Sequence, residues 1–90
     1  MAFCTIVEWD QDLTEALVGL HDREAPPEGA LVRLVGATDS GTYAIEIWRS
    51  GEDAHRFAES NAPALAASAL PPPTRVAGFD AASVFIRPEQ

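Results

Sequence analysis

The chain predicts an α+β fold in which four strands and two helices follow one another as β-α-β-β-α-β. Three observations carry this. Apolar, β-branched stretches bounded by turn residues recur at both ends and in the middle of the chain. Two intervening stretches repeat their apolar residues at helical spacing. A Thr-Asp-Ser-Gly segment joins the second and third strand-like stretches as a hairpin loop.

The first strand spans residues 2–9, AFCTIVEW, which contains neither Gly nor Pro. Asp10 to Asp12 interrupts it, and Asp12 with Glu15 forms a capping-box pattern, because a carboxylate there accepts orphan backbone N–H groups. Leu13, Ala16, Leu17 and Leu20 then fall at i, i+3, i+4 and i+7, which predicts a helix from Leu13 to Asp22. Ala25-Pro26-Pro27-Glu28-Gly29 ends it as a stiff loop. Residues 30–37, ALVRLVGA, and 42–49, TYAIEIWR, are the hairpin strands around Thr38-Asp39-Ser40-Gly41. Ser50 is the predicted cap of the second helix, with Glu52 and Asp53 in its electropositive first turn. Ala54, Phe57, Ala58, Asn61 and Leu65 form its apolar side, so Phe57 and Leu65 are expected under the sheet and His55 in solvent. Pro63 is expected to bend or end the regular helix, the alternative being that the Ala/Leu stretch after it continues as a second helical piece, and Pro71-Pro72-Pro73 is an extended connector. TRVAGFDAASVFIRP closes the chain as a last strand, with a break near Ala81-Ala82.

This order is the split βαβ, ferredoxin-like arrangement: one four-stranded antiparallel sheet with both helices on one face. The chain holds 90 residues, which allows one domain, 1–90. Its strands are apolar on both sides, so the face without helices is an interaction surface, and a homodimer packing sheet against sheet would cover it.

Charge narrows the functional classes. The chain has 14 acidic residues, 6 arginines and no lysine, for a net charge of −8. That argues against nucleic acid and against an anionic membrane surface as partners. One cysteine, Cys4, excludes an internal disulfide and a Cys-rich zinc site. His21 and His55 lie on different helices without spaced partners, so no metal is expected. No apolar run reaches the ~20 residues of a membrane span, and MAFCTIVEW lacks a basic lead, so a cytoplasmic protein is expected.

Hairpin register decides which side chains share a face. With Ala37 opposite Thr42, Arg33 stands across from Glu46, and Val32, Leu34, Ile45 and Ile47 share the other side. The uniformly apolar side is expected beneath the helices, with Tyr43 on it. Arg33, Leu31, Ala44, Glu46 and Trp48 then line the side a dimer would enclose. On the first strand, Thr5 and Trp9 are assigned to that ligand side with Phe3 and Val7, and Cys4, Ile6 and Glu8 to the other.

Two readings attach to each candidate. Glu46 on a semi-enclosed apolar face has the setting that raises a carboxyl pKa toward that of a general base; alternatively it is a cross-strand partner fixing register. Arg33 has the fork that holds a planar anion such as a carboxylate, phenolate or enolate; alternatively it closes an ion pair with Glu46. Trp48 and Trp9 offer flat faces to an aromatic ligand, or serve as core. Cys4 reads as a small buried hydrophobe, and the glycines form no phosphate-cradling loop.

The stretch IEIWRSGEDAHRFAES, residues 45–60, resembles a segment of the dimeric α+β barrel proteins related to the antibiotic biosynthesis monooxygenases. There an acid-x-Trp strand end runs through a short turn into an Ala/Phe-patterned helix. The resemblance implies a homodimer and a small apolar or aromatic ligand. It also implies activities such as cofactor-free oxygenation of polyketide aromatics, cyclisation or haem degradation. Many members carry a histidine where this chain has Phe57, so histidine-dependent chemistry, haem ligation included, is not expected. The function expected is that of a cofactor-free oxygenase or cyclase/isomerase acting on an enolisable substrate in a dimer-enclosed pocket. Glu46 and Arg33 would be catalytic, and Trp48, Thr5 and Trp9 would contact the ligand. The other class is a non-catalytic ligand-binding or accessory dimer.

Overall fold

A computed structural model describes residues 1–23, 26–85 and 87, with the side chains of 21–23 outside the description. The elements run β1 (Phe3–Trp9), α1 (Thr14–Arg23), β2 (Ala30–Thr38), β3 (Gly41–Trp48), α2 (Gly51–Ala67) and β4 (Arg75–Asp80). The strands form one antiparallel sheet in the order β2-β3-β1-β4. This is the ferredoxin-like α+β fold that the order of patterns predicts.

The hairpin has the expected register. Ala37 faces Thr42 and Arg33 faces Glu46, with an irregularity between Ala30 and Val32 where Leu31 leaves the ladder. Gly41 closes the turn at φ 147°, where a Cβ would lie 1.9 Å from the Trp9 carbonyl oxygen; only glycine lets the hairpin approach the end of β1.

The ends of β1, α1, β2 and β3 shift by a single residue from the sequence reading, and three differences have a physical reason. The helix after Asp12 starts at Thr14, whose N–H donates to the Asp12 carboxylate at 3.0 Å. That backbone bond above all holds the Asp12 carboxyl below its ordinary pKa. α2 runs through Pro63 without ending. The missing proline N–H removes one helix bond, to the carbonyl of Glu59, at an exposed stretch where water substitutes. β4 ends at Asp80, opposite Phe3, and one further bond follows, from the Ala81 N–H to the Ala2 carbonyl at 2.8 Å. Residues 81–85 carry no strand.

The largest correction concerns the faces of the sheet. Leu17 of α1 packs on Trp9 and Ala44, with Val7 and Val35 beside them. Phe57 of α2 packs on Trp48, with ring centroids 5.3 Å apart. Both helices therefore cover the side that carries Arg33 and Glu46. The Val32, Leu34, Ile45 and Ile47 side is free of helices, with Tyr43 on it. Alternation in the hairpin alone favours the opposite choice. The outcome is set by the bulk of Phe3, Trp9 and Trp48, whose burial outweighs that of the aliphatic side. Pairing Arg33 with Glu46 makes the burial of charge tolerable. Leu65 is a second correction. It is 49% exposed, because α2 rests on the sheet through its N-terminal half only.

Candidate functional site

Residues in register across the covered face bring the predicted site residues together. Thr5 faces Glu46, and Glu46 faces Arg33, so the three stand in one row across β1, β3 and β2. Trp48 lies one step along, 1% exposed, and its Nε1–H donates to Thr5 Oγ1 at 3.2 Å. Arg33 Nε and Glu46 Oε2 are 2.9 Å apart, with side chains only 17% and 15% exposed. The approach is that of an ion pair whose N–H is aimed off the straight hydrogen-bond line. The Phe57 ring caps the group, with its centroid 5.9 Å from the Arg33 guanidinium carbon and its plane tilted 36° to Trp48.

Trp9 does not join this cluster. It lies on the same face at the other end of β1, buried under α1, and its Nε1–H donates to the Pro71 carbonyl at 3.0 Å. It is a core residue that ties the Pro71-Pro72-Pro73 connector to the sheet. His55 is exposed and pairs with Glu59 at 3.2 Å, as its phase predicts. The position assigned to the His21 side chain lies outside the described residues. Cys4 is buried on the helix-free side. Among the described residues, no group of three or more His, Cys, Asp and Glu could hold a metal. No described helix is long and apolar enough to cross a membrane.

One cluster escapes the sequence reading. Asp53, 5% exposed, receives Arg49 at 3.0 Å, Arg56 at 3.0 Å and the Ser50 hydroxyl at 3.1 Å. Ser50 Oγ in turn accepts from Asp53 N–H as the helix cap. The Arg49 guanidinium above all, then Ser50, holds the Asp53 carboxyl below its ordinary pKa against the opposing effect of desolvation. Gly29, at φ +86°, passes so close that a Cβ there would lie 2.6 Å from the carboxylate, and its carbonyl accepts from Arg49 N–H at 2.8 Å. The signal was present in the sequence: Arg49 and Arg56 sit four residues before and three after Asp53, one just ahead of the Ser50 cap and one in the first turns of the helix.

Between α2 and the loop before β2, Asp53, Arg56, Phe57, Ser60 and Asn61 line an open groove of about 400 Å³ with Pro27 and Glu28. Phe57 belongs both to this groove and to the buried group around Arg33. A ring between two polar regions and an enclosed charge pair together suit a flat, weakly acidic ligand.

The fold is shared with a solved protein from Chloroflexus aurantiacus J-10-fl that carries the provisional name antibiotic biosynthesis monooxygenase. The two superpose with a TM-score of 0.67 over 94% of this chain and 97% of the other, at 15% sequence identity. At that identity the likeness defines the fold. No protein-family profile matches the chain, and no curated protein matches it.

Proposed function

We propose that this chain is a small-molecule enzyme of secondary metabolism, acting without a cofactor on an enolisable or phenolic, polyketide-like substrate. The reaction is an oxygenation, a cyclisation or an isomerisation. The observation that carries this reading is the Arg33–Glu46 pair, drawn largely out of solvent beside Trp48 and beneath Phe57. A bound acid or enol would take Arg33 as its counter-ion and free Glu46 to remove a proton. In the oxygenase version the resulting carbanion itself reduces O₂, which asks only for a positioned base and a dry pocket. In this reading the ligand sits between sheet and helices within one subunit and not in the seam of a dimer, because the pair is on the helix-covered side. The likeness in fold to a protein named as a monooxygenase agrees with the reading.

A homodimer accompanies this proposal. Leu34 and Phe79 are about half exposed on the helix-free side, where Ile6, Ile45 and Ile47 continue the apolar surface. The second reading, a binding or accessory dimer without turnover, is favoured by one observation: the pair is closed at 2.9 Å, as a structural ion pair would be. A panel of enolisable aryl ketones and phenols, followed by oxygen uptake and product mass, separates the two. Glu46→Gln should keep fold and affinity and lose turnover, since an amide cannot take the proton. Turnover equal to wild type in that variant excludes Glu46 as the base, and an inert wild type across the panel favours the binding dimer.

A further inference from the structure

Phe57 is the only wall residue that the outer groove and the buried Arg33–Glu46–Trp48 group have in common among the described contacts. Its ring lies against Trp48 and the Arg33 guanidinium, and it also borders the groove that Pro27, Glu28, Asp53, Arg56, Ser60 and Asn61 line. The groove, at about 400 Å³, lies in the volume range of ligand pockets, yet Arg33, Glu46 and Trp48 are absent from its lining. Phe57 is the side chain that stands between this groove and the buried group. That side chain stands on the half-buried face of α2, one turn after the Asp53 clamp that fixes the start of the helix. Before it, Asp53 is held by Arg49, Arg56 and Ser50; beyond Pro63, residues 64–67 of the helix are exposed.

We infer that Phe57 is a gate: its ring occupies the place of an aromatic ligand over Trp48 and Arg33, and swings into the outer groove when a planar aromatic anion enters. The inference rests on reading Arg33 and Glu46 as the ligand site. The entering ring replaces the Phe57 ring against Trp48, and the anionic group takes the Arg33 fork. Because Phe57 competes for the site, it selects against small aliphatic acids, which cannot restore the lost aromatic contact. It also lowers the apparent affinity by the fraction of time the gate stays shut.

The test is a titration with 2-naphthoate, read by NMR on the two indole N–H signals and the Arg33 Nε–H signal. Trp9, bonded to Pro71 at the far end of the sheet, is the internal control. In Phe57→Ala the probe should move Trp48 and Arg33 and leave Trp9 in place, with half-saturation about tenfold lower than in wild type. Phe57→Leu, which preserves more of the packing, should fall between the two. Equal half-saturation in all three proteins, or shifts confined to Arg56 and Asn61, overturns the gate. Failure here is distinct from failure of the catalytic reading. Binding behind residue 57 with Glu46→Gln fully active removes the base and keeps the gate, whereas probe binding blind to residue 57 with turnover dependent on Glu46 does the reverse.

Discussion

At Asp53 a single carboxylate ties together the end of β3, the start of α2 and the approach of the chain to β2. Its folded pKa lies below the ordinary value, and the Arg49 bond is the largest reason. The sign of the pH dependence follows. A depressed carboxyl contributes stability that is fully present above its unfolded pKa of about 3.9, and that stability is lost as pH falls through the folded value. Asp53→Asn should therefore show its largest stability deficit at neutral pH, and the deficit should shrink below about pH 4. Urea melts of both proteins across pH 2.5–7 would check this; a deficit that does not change with pH would place the role in packing alone. Thr42 is the other residue whose chemistry is fully enclosed, at 0% exposure. Its hydroxyl donates to the Gln11 carbonyl at 2.8 Å and accepts from Leu13 N–H at 2.7 Å, so it fixes the turn into α1. Thr42→Val keeps the shape and orphans both backbone groups, for an expected loss of about 2–4 kcal/mol. Thr42→Ser should lose about 1 kcal/mol, the value of one methyl group. Thermal or urea unfolding distinguishes them.

Among the elements, α2 shows what periodicity can and cannot tell. The cap at Ser50, the burial of Ala54, the inward Phe57 and the exposed His55 all follow from spacing. The exposure of Leu65 does not, because periodicity gives a direction around a helix and not the length over which the sheet lies beneath it. Phe57→Ala should destabilise by about 2–3 kcal/mol, less than for a fully enclosed ring, since Phe57 is half-buried. His55→Ala should change stability by less than ~0.5 kcal/mol, its pair with Glu59 being exposed. Similar losses for the two would contradict the placement of the helix. The hairpin teaches the same lesson. Its register was legible because the Asp39-Ser40 loop and Gly41 leave one short connection that matches the alternation. Its facing was not, because Ile45 and Ile47 on one side and Trp48 and Ala44 on the other are both apolar enough to be covered. The choice depends on Phe3 and Trp9, supplied by a strand nearly forty residues away.

For the whole molecule, the six elements and their order were readable from local patterns, and the candidate cluster of Thr5, Arg33, Glu46 and Trp48 proves to be contiguous. Trp9 shares their face but lies at the far end of β1, since alternation assigns sides and says nothing about distance along a strand. The helix-free face carries its polar groups at one end. There Glu8 stands between Tyr43 and Arg75, and the hydrogen bond and charge of Glu8 push the Tyr43 hydroxyl above its ordinary pKa. The remainder of that face is apolar. Light scattering should give twice the 9.6 kDa of one chain at micromolar concentration. Phe79→Glu should return the protein to a folded monomer, because Phe79 is 49% exposed and contributes little to the interior. A wild-type monomer would leave the apolar face without its proposed cover.

The strand order has a consequence for how the chain is made. β1 is synthesised first among the strands but sits inside the sheet, between β3 and β4. During translation at roughly 5–20 residues per second, the interval from Trp9 to Trp48 lasts roughly 2–8 s. Throughout it, FCTIVEW has neither neighbour available, whereas β2 and β3 meet their partner almost as they emerge. The nascent strand must stay soluble with Thr5 and Glu8 as the polar interruptions in an otherwise sticky segment. Glu8 then has a task on the ribosome as well as in the finished fold: Glu8→Val should reduce soluble yield during synthesis more than it lowers the stability of the purified protein.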